Sequence, residues 1–189
     1  YVALVPQGGK IMGMTLSHGG HLTHGHKVSA TGKFWVQIPY GVDEKTEVLN
    51  YDALKEIAMR EKPNIIVAGY TAYPRIIDFK KFRAIADSCQ AILMVDMSHF
   101  AGLVAGGVYP SPFLYADVVT TTVHKTLRGP RAAMIFSRKD SRELDKKIDK
   151  AVFPGLQGGP HLNQIAAVAV ALAEADRPAF KKYAKQVVK

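Results

Sequence analysis

The sequence predicts an α/β fold in which a mostly parallel β-sheet is layered between helices. Three runs of strand length, at residues 64–67, 91–95 and 118–123, consist mainly of apolar or β-branched residues and alternate with stretches that have the 3.6-residue period of amphipathic helices. The last run consists of six consecutive β-branched residues, whose restricted χ1 angles suit a pleated strand buried on both faces. Buried strands that alternate with helices are typical of βαβ units.

The strands and loops are expected in a simple order along the chain. Residues 1–5 resemble the end of a helix, and residues 16–26 are expected to form a loop because they are rich in glycine and histidine. The predicted strands span residues 10–14, 34–40, 64–67, 92–95, 118–123 and 133–137.

Helices are predicted where a capping residue precedes an apolar stripe. Asn50 or Asp52 caps a helix that ends before Pro63, and Asp78 opens the next helix. The predicted helices span residues 50–61, 78–88, 141–152 and 161–175. The helix over residues 161–175 is apolar on nearly all sides, which predicts that it is buried.

Composition limits the class of protein. A length of 189 residues with 48% hydrophobic residues suits one globular domain. The longest apolar run, residues 165–173, is much shorter than the ~20 residues that span a bilayer, so no membrane segment is expected. Cys89 is the only cysteine, which excludes an internal disulfide and a cysteine-based zinc site and favours a reducing, cytoplasmic location.

The formal net charge of +9 arises from 25 Lys and Arg residues against 16 Asp and Glu residues. Most of the basic residues fall in stretches expected to be helical, such as residues 146–150 and 181–189. Solvated helix faces with some attraction for anionic cofactors explain this charge better than a nucleic-acid surface does. A non-enzymatic basic binding protein is the alternative that would share the charge alone.

Two predicted strands end in side chains that carry chemistry. Lys125 follows the strand over residues 118–123, and Asp96 follows the strand over residues 92–95. Open α/β sheets place their ligand crevice at the carboxyl ends of the strands, so both side chains are expected at one site. A lysine there can act as an amine nucleophile towards a carbonyl cofactor, and a carboxylate can keep a pyridine nitrogen protonated. The pair therefore predicts pyridoxal phosphate.

Simpler interpretations of these residues stay open at this point. Lys125 could cap a strand end in solvent, since most lysines are solvated, and Asp96 could be the N-cap of a following helix. The histidines at positions 18, 21, 24 and 26 could bind zinc or copper. Their spacing matches neither a helical i, i+4 pair nor a standard structural zinc pattern, so no metal is expected.

Several segments, in this order, give the chain a resemblance to a known family. These segments are residues 16–25, 69–75, 95–104, 120–131 and 153–160. They resemble the cofactor-stacking loop, the mid-domain loop, the aspartate and lysine motifs and the phosphate-contacting segment of serine hydroxymethyltransferase, the enzyme that interconverts glycine and serine. The resemblance covers essentially the whole chain.

The resemblance implies a fold, a cofactor and a reaction. The fold is the three-layer αβα large domain of the fold-type I pyridoxal-phosphate enzymes, which is similar to that of aspartate aminotransferase, and residues 1–189 would form its central part. The reaction transfers the hydroxymethyl carbon of serine to tetrahydrofolate and gives 5,10-methylenetetrahydrofolate. The family also has an N-terminal segment and a C-terminal small domain outside these residues, so the chain alone is expected to be inactive.

The resemblance also implies roles for individual residues. Lys125 would form the Schiff base with pyridoxal 5'-phosphate, Asp96 would keep the ring nitrogen protonated and His21 would stack on the ring. His124 would tune the neighbouring amine. The other expected cofactor contacts are Thr71, His99, Thr122, Arg131, Gly158 and Gly159. The expected folate contacts are Leu16, Gly20, His21 and Leu22.

The loop that carries Gly158 and Gly159 reaches, in the family, the phosphate bound by the partner subunit, which implies a homodimer. The chain departs from the family at Val123, Ala132 and Ala133, where the family has a threonine and two glycines; these changes concern local packing more than chemistry. A threonine aldolase or an aminotransferase of the same fold would share Asp96 and Lys125 but would not need the folate loop.

Overall fold

The computed structural model describes residues 1–189 and contains one six-stranded sheet. The strands are β1 (Lys10–Met14), β2 (Val36–Tyr40), β3 (Ile65–Gly69), β4 (Ile92–Asp96), β5 (Val118–Thr122) and β6 (Ala133–Ser137). They lie in the order β2-β1-β3-β4-β5-β6, in which the first five strands are parallel and β6 is antiparallel to β5. The carboxyl ends of β1, β3, β4 and β5 therefore meet at one edge of the sheet.

Seven helices connect or cover the strands. They are α1 (Ala30–Phe34), α2 (Tyr51–Glu61), α3 (Phe79–Cys89), α4 (Ala101–Ala105), α5 (Leu144–Lys150), α6 (Leu162–Ala175) and α7 (Pro178–Val188). A short 3-10 turn at Leu16–His18 follows β1, and an irregular π-type turn at Ala151–Leu156 follows α5. None of the helices combines the length and the apolar character that crossing a membrane requires.

Side-chain caps begin α2 and α3 where the sequence predicts them. The Asn50 side chain accepts hydrogen bonds from the backbone N–H groups of Asp52 and Ala53. The Asp78 carboxylate accepts the backbone N–H of Lys81 at 3.0 Å. These bonds satisfy N–H groups that have no partner inside the first turn of a helix, so they set the first residue of each helix.

Alternating side chains divide the core into two layers, as the two-residue period of a strand requires. In β3, Ile66 and Ala68 belong to a cluster of 25 buried residues that also includes residues of α2, α3 and α7. Ile65 and Val67 point to the other face, into a cluster of eight buried residues that includes Leu144 of α5. The sheet therefore has helices on both faces, and the prediction of a layered α/β domain is confirmed.

The strand predicted over residues 34–40 is wrong at its start. Phe34 is the last residue of α1, and β2 begins only at Val36. The Ser29 side chain accepts the backbone N–H of Thr31 and caps this short helix. The cap favours a helical turn over the extended conformation that the aromatic residues suggest.

Two other predicted helical segments are shorter in the structure. Residues 1–5 form a single turn, in which the N–H groups of Leu4 and Val5 donate to the Tyr1 carbonyl. The helix predicted over residues 141–152 spans only Leu144–Lys150. The Asp140 carboxylate accepts the N–H of Arg142 at 2.9 Å and holds the preceding residues in a turn.

Helix α6 lies where the sequence predicts it, but the prediction that it is buried is wrong. Only Ala171 and Ala175 are buried, whereas Leu162 is 71% exposed and Ile165 is 55% exposed. Within residues 1–189 the helix packs against α7, and most of its apolar surface faces solvent. An apolar pattern indicates that a helix is covered on most sides, but within residues 1–189 only the side that carries Ala171 and Ala175 is covered.

Candidate active site

A cavity of about 250 Å³ lies at the edge of the sheet where β3, β4 and β5 end. Its lining residues are His21, Thr23, Tyr70, Thr71, Asp96, Ser98, His99, Thr122 and Lys125. They come from four segments that are far apart in sequence, and the parallel strand order brings those segments to one place. Six of them were predicted as cofactor contacts: His21, Thr71, Asp96, His99, Thr122 and Lys125.

Lys125 lies in the turn after β5, at the wall of this cavity. Its Nζ donates to Thr122 Oγ1 at 3.1 Å, and it takes part in no ion pair. The next residue, Thr126, donates through Oγ1 to the His99 carbonyl and accepts the Gly102 N–H, both at 3.0 Å. The turn is therefore fixed to the start of α4, and Lys125 is not a freely solvated side chain.

Asp96 is the last residue of β4, and three hydrogen bonds hold its carboxylate. Its Oδ2 lies 3.0 Å from His24 Nε2, and its Oδ1 accepts Ser98 Oγ at 2.6 Å and Ser98 N–H at 3.1 Å. Burial alone would raise the pKa of Asp96, but the hydrogen bonds from His24 and Ser98 outweigh burial and lower this pKa to about 2. The carboxylate is therefore ionised at neutral pH.

Asp96 is not the N-cap of a helix, so the simpler interpretation of this residue is wrong. Helix α4 begins at Ala101, and its N-cap residue is Phe100, which makes no side-chain capping bond. The Asp96 side chain turns towards His24 and the cavity instead.

His24 is the residue that sequence reasoning missed. Its side chain is 1% exposed, and its Nδ1 atom is buried without a hydrogen-bond partner. Because an ionised carboxylate only accepts hydrogen bonds, His24 Nε2 carries the hydrogen that points at Asp96. Nothing in the local pattern of a histidine-rich loop singles out this histidine, since its partner lies 72 residues away in sequence.

The other histidines of the loop after β1 have separate partners. His21 Nδ1 lies 2.8 Å from Thr23 Oγ1, and His18 Nδ1 accepts the Val42 N–H at 3.0 Å. No group of three or more His, Cys, Asp or Glu side chains is placed to hold a metal ion.

Two histidines of the cavity are neutral at pH 7. Burial lowers the pKa of both His21 and His99, and the positive charge of Lys125 lowers both pKa values further. A neutral imidazole can stack on an aromatic ring or accept a hydrogen bond, so both side chains suit a planar ligand with polar substituents.

Thr71 has an unused hydroxyl in the cavity wall. Its backbone N–H donates to the Gly19 carbonyl at 2.7 Å, which ties the loop after β1 to the end of β3. Its Oγ1 is buried and has no hydrogen-bond partner. Since an unpaired buried hydroxyl costs free energy, this atom is available to a bound ligand.

The remaining predicted site residues do not line the cavity. These are Leu16, Gly20, Leu22, His124, Arg131, Gly158 and Gly159. The Nδ1 atom of His124 is buried without a partner, and Arg131 is exposed and forms no ion pair. Gly158 and Gly159 lie in open space, with no atom within 4 Å of the position of a Cβ.

The predicted folate residues lie on the loop that follows β1. Leu16 and Leu22 are exposed, and His21 between them faces the cavity. Gly20 is buried, and an added Cβ would lie 2.0 Å from the Met14 carbonyl oxygen. Only glycine therefore lets this loop fold back against the end of β1.

Comparisons with known proteins identify relatives that share the whole of this chain. The serine hydroxymethyltransferase family model matches residues 1–189. The serine hydroxymethyltransferase of Desulfotalea psychrophila is 59% identical over 188 residues, which are 100% of this chain and 43% of that protein. The serine hydroxymethyltransferase of Nostoc sp. is 55% identical over 188 residues, which are 100% of this chain and 44% of that protein.

A third relative has a similar identity and coverage. Serine hydroxymethyltransferase 1 of Pseudomonas putida is 54% identical over 188 residues, which are 100% of this chain and 45% of that protein. The chain thus spans less than half the length of the curated relatives that it matches. Since both the family model and relatives of this identity cover it from end to end, the chain belongs to the serine hydroxymethyltransferase family.

Proposed function

We propose that this chain forms the cofactor-binding part of an enzyme that interconverts serine and glycine with pyridoxal 5'-phosphate and tetrahydrofolate. The observation that supports this most directly is that Lys125 and Asp96 line one cavity, with the carboxylate of Asp96 held ionised. Membership of the serine hydroxymethyltransferase family supports the choice of reaction.

The cavity residues fit pyridoxal phosphate by their hydrogen-bonding groups. The Lys125 amine is free of ion pairs, the Asp96 carboxylate is ionised and the Thr71 hydroxyl is buried without a partner. An amine suits the aldehyde carbon of this cofactor, a carboxylate suits its protonated ring nitrogen and a hydroxyl suits its ring oxygen.

Each side chain has a defined task in the proposed site. When bound, pyridoxal phosphate supplies an electron sink for the negative charge that develops on the substrate α-carbon. Asp96 keeps the ring nitrogen protonated, and His24 holds the carboxylate in place. Lys125 provides the amine that anchors the cofactor, and Thr122 Oγ1 orients this amine by accepting one of its hydrogens.

Neighbouring side chains complete the cofactor site in this proposal. The neutral imidazole of His21 stacks on the ring, and His99 and Thr71 bind near the ring oxygen. His124 precedes Lys125 and tunes its amine. Arg131 has no ion pair within the chain, so its guanidinium is free to bind an anionic group.

The loop after β1 is the proposed folate site. Leu16 and Leu22 present exposed apolar side chains on either side of His21. Gly20 keeps the backbone close to β1, so a flat ring system can approach the loop without meeting a side chain at that position. In this proposal the one-carbon acceptor would bind beside the wall of the cofactor cavity.

The proposal includes a homodimer in the cytoplasm, where the single cysteine stays reduced. Gly158 and Gly159 are open to solvent, and their backbone N–H groups would bind the phosphate held by the partner subunit. Phe153, Leu156 and Leu162 flank this loop with exposed apolar side chains, which suit a protein interface.

A full-length chimera tests the proposed function. In this chimera, residues 1–189 replace the matching segment of the Desulfotalea psychrophila relative. We expect stoichiometric binding of pyridoxal phosphate, measured by absorbance, and tetrahydrofolate-dependent transfer of the labelled hydroxymethyl carbon of serine. The 189-residue chain alone is the control, and we expect it to bind the cofactor weakly and not to interconvert serine and glycine.

Other outcomes would contradict the proposal. Binding of cofactor with amino-acid cleavage that tetrahydrofolate does not accelerate would favour an aldolase of the same fold. Retention on nucleic acid that weakens steeply with salt, without cofactor binding, would favour a basic binding protein.

A further inference from the structure

Ser98 links the two halves of the cavity through a single hydroxyl. It lies two residues after Asp96, and the residue is buried, with 9% of its surface exposed. Ser98 Oγ lies 2.6 Å from Asp96 Oδ1 and 3.0 Å from the backbone nitrogen of Thr122. One oxygen atom therefore contacts both the carboxylate at the end of β4 and the last residue of β5.

The direction of both hydrogen bonds is fixed by chemistry. The backbone N–H of Thr122 can only donate, and the ionised carboxylate of Asp96 can only accept. Ser98 must therefore accept from Thr122 and donate to Asp96. A chain of this kind, from amide to hydroxyl to carboxylate, polarises each bond in the same sense and strengthens both.

The hydroxyl lies where the backbone ladder between β4 and β5 stops. The last backbone bond of this ladder runs from Met97 N–H to the Thr120 carbonyl at 2.9 Å. The next N–H along β5 towards the same neighbour is that of Thr122, and Ser98 Oγ takes the place of a backbone carbonyl there. The Ser98 side chain therefore keeps β4 and β5 hydrogen-bonded beyond the last backbone bond between them.

The link that Ser98 makes extends to Lys125 through Thr122. Thr122 Oγ1 accepts Lys125 Nζ at 3.1 Å, so the residue that Ser98 holds by its backbone holds the lysine by its side chain. On the other side of Lys125, Thr126 is fixed to the His99 carbonyl. The lysine turn is therefore attached at both ends to the segment that follows Asp96.

We propose that Ser98 is a positioning residue for the lysine and carboxylate pair. Its hydroxyl sets where Lys125 lies relative to Asp96, and it acts on the cofactor through these two side chains rather than by touching it. The inference rests on the proposed function, since it names a residue that orients the same cofactor site. It assigns a role to a residue that neither the strand pattern nor the resemblance singled out.

The first test needs no cofactor. Hydrogen exchange followed by mass spectrometry on the cofactor-free chimera reports the protection of the Thr122 amide. We expect Ser98→Ala to speed exchange at this amide by at least about tenfold, because its acceptor is lost. Ser88→Ala is the matched control, since it removes another serine hydroxyl bond, to the Ile85 carbonyl at the end of α3, away from the cavity. Unchanged exchange at Thr122 in Ser98→Ala would overturn the inference.

The second test is a double-mutant cycle on the affinity for pyridoxal phosphate, measured by absorbance titration. Ser98→Ala is expected to weaken binding about tenfold in the wild-type background, the range of a lost charge-assisted hydrogen bond. It is expected to weaken binding less, by about threefold, in the Asp96→Asn background, because only its link to Lys125 through Thr122 is left there. Equal weakening in both backgrounds would show that Ser98 does not act through Asp96 and would overturn the inference.

Conservative variants distinguish the effect of the Ser98 hydroxyl from the effect of side-chain size. Ser98→Thr keeps the hydroxyl and should restore affinity and Thr122 protection to within about threefold of wild type. Ser98→Cys keeps the size but has a weaker donor, and it should be intermediate. If wild-type chimera binds no cofactor, the proposed function fails, and exchange at Thr122 still decides whether Ser98 makes the link.

Discussion

His24 Nε2 lies 3.0 Å from Asp96 Oδ2, and this bond connects the loop after β1 to the end of β4. His24 is almost completely buried, so no water competes for the carboxylate on this side. Together with Ser98 it leaves the carboxylate oriented and ionised at the cavity wall. The site therefore depends on a contact between a loop and a strand end that lie 72 residues apart in sequence.

The bond between His24 and Asp96 predicts a specific dependence of stability on pH. The pKa of Asp96 is about 2 in the folded chain, against an ordinary value of 3.8. Its contribution to the free energy of unfolding, about 2 kcal/mol, is therefore present above pH 4 or so and lost as the pH falls towards about 2. Urea denaturation between about pH 5 and pH 3 should show this loss.

Removal of the His24 side chain tests how much of this pH dependence comes from its bond to Asp96. His24→Ala should raise the pKa of Asp96, so the loss of stability in this pH range should be smaller than in wild type. His26→Ala is the control, because His26 lies in the same loop but accepts only the Val28 N–H. Equal pH slopes for wild type and His24→Ala would show that the bond does not hold the carboxylate.

Asp96→Asn in the chimera should leave the cofactor bound but lower turnover by about 100-fold or more, because an amide cannot stabilise a positively charged ring nitrogen. The measurement is the rate of tetrahydrofolate-dependent carbon transfer at saturating cofactor. Asp87→Asn, on the exposed face of α3, is the control and should retain wild-type turnover. Turnover of Asp96→Asn within threefold of wild type would show that Asp96 has no electronic role.

Asp117 predicts a large effect on stability away from the site. It is 4% exposed, and its carboxylate binds Arg83 at 2.7 Å, Arg142 at 2.6 Å and the Leu93 N–H at 2.8 Å. Asp117→Asn should lower the free energy of unfolding by about 1.5–3 kcal/mol, because it removes the charge that strengthens the hydrogen bonds from two arginines to a buried carboxylate. Asp87 also pairs with Arg83, but it is exposed, so Asp87→Asn should cost less than about 1 kcal/mol.

Thermal or urea denaturation of both variants compares the two carboxylates directly. Similar losses for Asp117→Asn and Asp87→Asn would show that burial of the Arg83 pair is not what gives Asp117 its effect.

The exposed apolar face of α6 predicts self-association of the 189-residue chain. Leu162 and Ile165 lie on this face, and exposed apolar patches of this kind favour association. The double variant with Leu162→Ser and Ile165→Ser should shift the chain towards monomer in sedimentation experiments. A matched double change on α7, Lys181→Ser with Lys185→Ser, should not. A wild-type chain that is monomeric at all concentrations tested would contradict the prediction.

The strand ends that form the site could be predicted from the sequence because they depend on local patterns. The six β-branched residues before His124 and the apolar run before Asp96 each indicate a buried strand without reference to the rest of the chain. The parallel order then brings the two ends together. Lys125 and Asp96 were therefore accessible to sequence reasoning as a pair.

The contacts that orient these two residues could not be predicted in the same way. The partner of Asp96 is one of four similar histidines in a loop, and the role of Ser98 depends on where the β4–β5 ladder stops. Both are set by tertiary geometry. The prediction that α6 is buried was wrong for a related reason. An apolar pattern does not indicate whether the element that covers it lies within residues 1–189.

If Lys125 anchors pyridoxal phosphate, reduction of the bound cofactor should attach it permanently to this residue. The chimera is loaded with the cofactor, reduced with borohydride and digested, and the labelled peptide is located by mass spectrometry. We expect the label on Lys125 alone, with neither the label nor the visible absorbance band in Lys125→Ala and both retained in the surface control Lys150→Ala. A borohydride-stable label on any other lysine in Lys125→Ala, with the visible band retained, would show that Lys125 is not the anchoring residue.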